Sequence, residues 1–111
     1  MKLKETNTDG VTVIEPTGRI DLNNADLLER RLVELIRAAS QRLLIDFRHV
    51  QYISSAGFRA LLIARKLVDE TGGNLVLCSM SPEIKRVFAI GAFTELFTIC
   101  ATVDEGIAKA K

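Results

Sequence analysis

The chain has 111 residues, 48% of them apolar, with 15 Lys and Arg against 14 Asp and Glu for a net charge of +1. That length supports one hydrophobic core and excludes two, and the apolar content excludes intrinsic disorder. Balanced charge, dispersed basic residues and an aromatic set of five Phe and one Tyr argue against a nucleic-acid interface, which needs a concentrated basic stripe with stacking aromatics.

Met1-Lys2-Leu3-Lys4-Glu5 does not lead into a secretory hydrophobic region. No apolar run approaches the ~18 residues that span a bilayer, so the expectation is a cytoplasmic protein with no membrane partner. Asp9-Gly10 between the extended segments Lys2–Thr8 and Val11–Pro16 is a hairpin signal. Thr17-Gly18-Arg19-Ile20-Asp21 leaves the second strand, and Asn23 or Asn24 is placed to cap a helix through about Ala39. Leu27, Leu28, Leu32, Leu35 and Ile36 make its apolar stripe, and Ser40-Gln41 closes it. Arg42–Phe47 is a strand whose near-continuous apolar run predicts burial on both faces, as in a parallel sheet.

After Ser55 the spacing predicts a helix to about Glu70, ended by Thr71-Gly72-Gly73, followed by a strand over Asn74–Cys78. Ser81 caps a short helix with Pro82 in its first turn, running through Val87-Phe88 to Gly91. Phe97–Cys100 is a last strand, and Thr102-Val103-Asp104-Glu105 is a capping box that starts a terminal helix. Cys78 and Cys100 end apolar runs without metal-ligand spacing and read as buried, reduced thiols. The predicted fold is a single α/β domain over residues 1–111, with about five mostly parallel strands, the first antiparallel in a hairpin, and about four helices.

The most informative stretch is Tyr52-Ile53-Ser54-Ser55-Ala56-Gly57, at the junction of an extended segment and a helix. Ser54 or Ser55 caps that helix. A phosphate on either hydroxyl would meet unpaired N–H groups and the positive end of the helix dipole. It would add roughly −1.5 to −2 charge to the surface without unfolding the domain.

At ~100° per residue, Gly57, Ala60, Leu61, Ala64, Leu67, Val68 and Thr71 form the core stripe of that helix, with Phe58 and Leu62 on a flank. An aromatic beside the serines and off the core stripe suits a docking surface; the alternative is a neighbouring loop that covers Phe58. Arg59 is placed to contact a phosphate or a partner, the alternative being a solvated side chain. Ser55, His49 and Asp46 supply the residue types of a hydrolase triad. However, Ile53 stands where a nucleophile elbow needs glycine, and the three come from one short segment. The expectation is therefore no enzyme, no catalytic residue, no metal and no cofactor.

The ordered set Gly18-Arg19-Ile20-Asp21, Leu44-Ile45-Asp46-Phe47, Tyr52-Ile53-Ser54-Ser55-Ala56-Gly57-Phe58 and Gly73-Asn74-Leu75-Val76-Leu77 resembles the STAS domain, specifically the stand-alone bacterial anti-sigma factor antagonist. The resemblance covers nearly the whole chain. It implies an acceptor serine two positions before Gly57, which is Ser55, with Ser54 the second choice. It also implies phosphorylation by an anti-sigma factor that is itself a serine kinase, and reset by a PP2C-type phosphatase. The sequence departs from the familiar Asp-Ser-Ser-Gly at two positions, with Ser54 for Asp and Ala56 for the second Ser. The expected partner-binding set is Asp21, Asn23, Ser54, Ala56, Gly57, Phe58, Arg59 and Leu62, on a protein that is a monomer when free. A non-phosphorylated STAS scaffold subunit of a transporter or stress complex is the alternative within the fold, and a small serine hydrolase the alternative outside it.

Overall fold

A computed structural model describes residues 1–38 and 42–111. Strands β1 (Lys2–Thr8) and β2 (Val11–Ile20) form the antiparallel hairpin. Asp9 and Gly10 both have positive φ, 53° and 81°, the requirement of a tight hairpin turn that follows the twist of its strands. Helix α1 (Ala25–Arg37) leads to β3 (Arg42–Asp46), β4 (Val50–Ile53) and helix α2 (Ser55–Thr71). Then come β5 (Asn74–Cys78), helix α3 (Pro82–Ile90), a 3-10 turn at Thr94–Leu96, β6 (Thr98–Cys100) and helix α4 (Val103–Ala110). The sheet runs β1-β2-β3-β5-β6, with β4 pairing to β2, and every pairing after the hairpin is parallel.

Parallel strands buried on both faces account for the unbroken apolar runs. Leu43 and Ile45 of β3 and Leu75 and Leu77 of β5 join the core built with α1, α2 and α3. Leu44, Val76 and Cys78 point the other way, into a smaller core closed by α4. There, Gly106 lets the helix lie against β3: a Cβ would sit 2.6 Å from Leu44 Cδ1. Thr102 Oγ1 accepts the Glu105 N–H at 3.2 Å and Glu105 Oε2 accepts the Ala101 N–H at 3.3 Å, a capping box shifted by one residue on its return bond.

The predicted fold class holds, with six strands among the described residues, while some of its details need correction. Strand β2 runs on past Pro16 to Ile20, and its second half pairs with β4, which the sequence reading passed over. The register shift at Gly18 and Arg19 turns β2 from β3 toward β4, and Gly18 takes φ +97° there. In α1, neither Asn23 nor Asn24 caps through its side chain, because Asn24 is drawn back to Arg19 and Asp21. Leu27 is 47% exposed, off the buried stripe of Ala25, Leu28, Leu32, Leu35 and Ile36. The expected helix end at Ala39 and its closure by Ser40-Gln41 lie outside the described residues.

Candidate functional site

The site lies at the carboxyl ends of β2 and β4, where open α/β sheets commonly bind ligands. The Ser54 N–H donates to the Ile20 carbonyl at 2.8 Å, locking the end of β4 to the end of β2. Ser54 is extended (φ −93°, ψ 174°) and its Oγ accepts the Gly57 N–H at 3.4 Å. It is therefore the N-cap of α2. Ser55 is the first helical residue and exposed, and its hydroxyl has no hydrogen-bond partner among the described residues. Two adjacent serines thus divide the work: one is spent on the helix, the other faces solvent.

The β2–α1 loop forms the opposite side. The Asp21 carbonyl accepts the N–H groups of Asn24 and Ala25 at 3.1 and 2.8 Å, and Asp21 Oδ1 accepts that of Asn23 at 3.0 Å. Asn24 Oδ1 accepts the Asp21 N–H at 2.9 Å, while its Nδ2 donates to the Arg19 carbonyl at 2.7 Å. The Arg19 guanidinium lies 4.2 Å from the centroid of the Tyr52 ring and its Nε 3.9 Å from Asp21 Oδ2. Asp21 and Asn23 therefore shape this loop. A cleft of about 530 Å³ separates the two sides, lined by Leu22, Ala25, Asp26 and Glu29 from one and Ser55, Ala56 and Arg59 from the other.

Residues 2–106 match the family model of the STAS domain. The chain belongs to the STAS domain family. It is 32% identical, over its whole length and 96% of the relative, to BtrV of Bordetella bronchiseptica, named as a candidate anti-sigma factor antagonist. It is 30% identical over 90 residues, 81% of this chain and 82% of the other, to the anti-sigma-B factor antagonist of Bacillus subtilis. The Bacillus cell fate determinant SpoIIAA in its phosphorylated form superposes with a TM-score of 0.75 at 18% identity, covering 99% of this chain and all of the other.

In this STAS domain the cleft unites three expected residues, Ser55, Ala56 and Arg59, with four the sequence reading missed, Leu22, Ala25, Asp26 and Glu29. A signal for Leu22 existed: it is a lone leucine in the polar run Asp21-Leu22-Asn23-Asn24. Two expected docking residues are corrected outright. Phe58 is 4% exposed, with its ring stacked on Phe93 at 4.3 Å and edge-on to Phe88 at 4.7 Å. The segment after α3 covers the flank that looked free. Gly57 is buried because α2 crosses β2 and β4 so closely that a Cβ would meet Ile53 Cγ1 at 2.7 Å and Ile20 Cγ2 at 2.8 Å. Leu62, on the same flank as Phe58, is half-buried against the core.

Asp46 and His49, the two other residue types of a triad, face partners other than Ser55. Asp46 is 1% exposed, and its Oδ1 accepts the Arg48 N–H at 3.0 Å while Oδ2 pairs with Arg48 Nη2 at 3.3 Å. The exposed His49 ring lies 3.9 Å from Glu15 Oε1. Cys78 and Cys100 are free, buried and register neighbours on β5 and β6, and burial pushes the Cys78 thiol up to about 11. Among the described residues, no group of three or more His, Cys, Asp and Glu is arranged to hold a metal ion. No helix among them is long and apolar enough to cross a membrane.

Proposed function

We propose that this STAS domain is an anti-sigma factor antagonist working by partner switching in the cytoplasm, as a monomer when free. The unphosphorylated form binds an anti-sigma factor that is also a serine kinase and frees that kinase's other client. Phosphorylation of Ser55 ends the binding, and a PP2C-type phosphatase restores it. One observation carries the reading: the Ser55 hydroxyl is exposed, uncommitted and at the first turn of α2 inside the cleft, while Ser54 is held as the cap. The names of the relatives support the same role.

The chemistry follows from the position. A phosphate on Ser55 sits at the positive end of α2, one turn before Arg59, so the helix tolerates it. The cleft does not, since roughly −1.5 to −2 charge and three oxygens enter a space already bordered by Asp26 and Glu29. Binding is lost by bulk and charge at the surface, with the fold retained. The test is intact-protein and peptide mass spectrometry after incubation with ATP and the serine kinases of the native host. One added phosphate on Ser55, absent from Ser55→Ala, is expected. A phosphate on Ser54, or none, overturns the assignment.

A further inference from the structure

We infer that Cys78 and Cys100 form a redox modification site: an oxidant of the peroxide class joins them in a reversible disulfide that ties β6 to β5 beneath α4. The two residues are register partners on adjacent parallel strands. Both side chains belong to the small core closed by α4, so they leave the sheet on the same face. Neighbouring strands lie about 4.8 Å apart, inside the ~4.4–6.8 Å between Cα atoms that a disulfide spans. The Ser79 N–H donates to the Cys100 carbonyl at 3.3 Å and holds the pair level. The cleft at Ser55 uses neither thiol.

Access comes through the sheet edge. Strand β6 has three residues and ends the strand order, and short elements of this kind open locally at low cost. Cys100 on that strand is 9% exposed, whereas Cys78 is fully covered. Burial also pushes the Cys78 thiol up to about 11, so Cys78 waits as a thiol while Cys100 reacts first. The Cys100 sulfur, its proton released to solvent, attacks one peroxide oxygen. The O–O bond breaks, hydroxide leaves and Cys100 becomes a sulfenic acid. Cys78, deprotonating in turn, displaces hydroxide from that sulfur and the S–S bond forms. Two thiols and one peroxide thus give one disulfide and two waters, the thiols losing the two electrons that the peroxide gains.

The bridge closes a loop that holds α3, the 3-10 turn and the rings of Phe88, Phe93 and Phe97. Phe93 and Phe88 pack on Phe58 in the first full turn of α2, so oxidation fixes both ends of the segment that covers that helix. A bridge in a reducing compartment is transient, present under oxidant and removed by dithiols.

The experiment treats the reduced full chain with hydrogen peroxide, then alkylates free thiols after denaturation and weighs the intact protein. The expected product is a monomer that has lost two hydrogens and takes up no alkylating agent, with a linked Cys78–Cys100 peptide after digestion. Its melting temperature should lie about 5 °C or more above that of the reduced chain, and dithiothreitol should reverse both changes. In Cys78→Ala and Cys100→Ala, whatever their own stability, peroxide should produce neither the bridge nor the rise. Two thiols still open to alkylation, oxygen added to Cys100 with Cys78 left free, or a disulfide between two chains overturns the site. A bridge that leaves the melting temperature unchanged overturns the restraint on the covering segment.

Discussion

Phe58 in the first full turn of α2 and Phe93 in the segment after α3 lie ring on ring, with centroids 4.3 Å apart and planes 10° from parallel. Phe88 closes edge-on to Phe58 at 4.7 Å and contacts Phe47 and Phe97 at 6.0 Å each. The helix that displays Ser55 is thereby bolted to parts of the chain thirty and more residues away in sequence.

Phe58→Ala should therefore act on stability. Removing a buried Phe costs about 3–5 kcal/mol, enough to lower the melting temperature of a domain this size by about 10 °C or more. Thermal denaturation followed by circular dichroism checks it, and an unchanged midpoint would return Phe58 to the docking surface.

Ser54 and Ser55 should separate in mutants. Ser54→Ala removes the cap bond to Gly57 and should cost about 0.5–2 kcal/mol while Ser55 remains available to the kinase. Ser55→Ala should leave the chemical-denaturation midpoint unchanged, because its hydroxyl bonds to nothing among the described residues, and should abolish phosphate uptake. Equal destabilisation by both would contradict the division.

Asp46 should matter as a hydrogen-bond acceptor more than as a charge. It closes the turn from β3 toward β4 by accepting the Arg48 N–H. Asp46→Ala strands that donor and should cost about 1–3 kcal/mol, whereas Asp46→Asn keeps an acceptor in place and should cost clearly less. Urea denaturation of the two variants decides the order.

Acid sensitivity should come in part from the link between β1 and α1. Glu5 binds the Arg31 guanidinium with both carboxylate oxygens, one of them at 2.8 Å from Nη2. Those hydrogen bonds hold the Glu5 carboxyl below its ordinary 4.5. A depressed folded value means stability that is present above pH 4.5 and lost as the pH falls through the folded value. The stability gap between wild type and Glu5→Gln should be widest near neutrality, close below pH 4.5 and shrink in high salt, since the pair is solvent-accessible. A gap that persists unchanged at pH 3 would mean the pair is held by packing.

Most elements were legible because local chemistry and apolar pattern agreed. The Asp9-Gly10 turn, the Ser81-Pro82 and Thr102 helix starts and the Gly72 stop all stand where their residues demand. Strand β4 was not legible: Val50-Gln51-Tyr52-Ile53 buries Val50 and Ile53 and leaves the two residues between them exposed, so neither helix nor strand period emerges. Phe58 was misread because helix angle gives the direction of a side chain and not what lies in that direction; here it is Phe93, brought from far along the sequence. Leu22, Asp26 and Glu29 became a site only when β2 and β4 paired and set two helix starts side by side.

The strand β2 also gives the molecule a handle end and a working end. Its ten residues run from the Asp9-Gly10 turn to Ile20, whose carbonyl fixes Ser54, so the turn and the cleft lie roughly 25–30 Å apart at the usual rise per residue. A reporter or affinity peptide spliced between Asp9 and Gly10 extends a solvent-facing hairpin tip and leaves the cleft untouched. A single residue added between Ile20 and Asn24 would instead break the loop bonds that present Leu22. For building a sensor from this domain, the splice site is the turn.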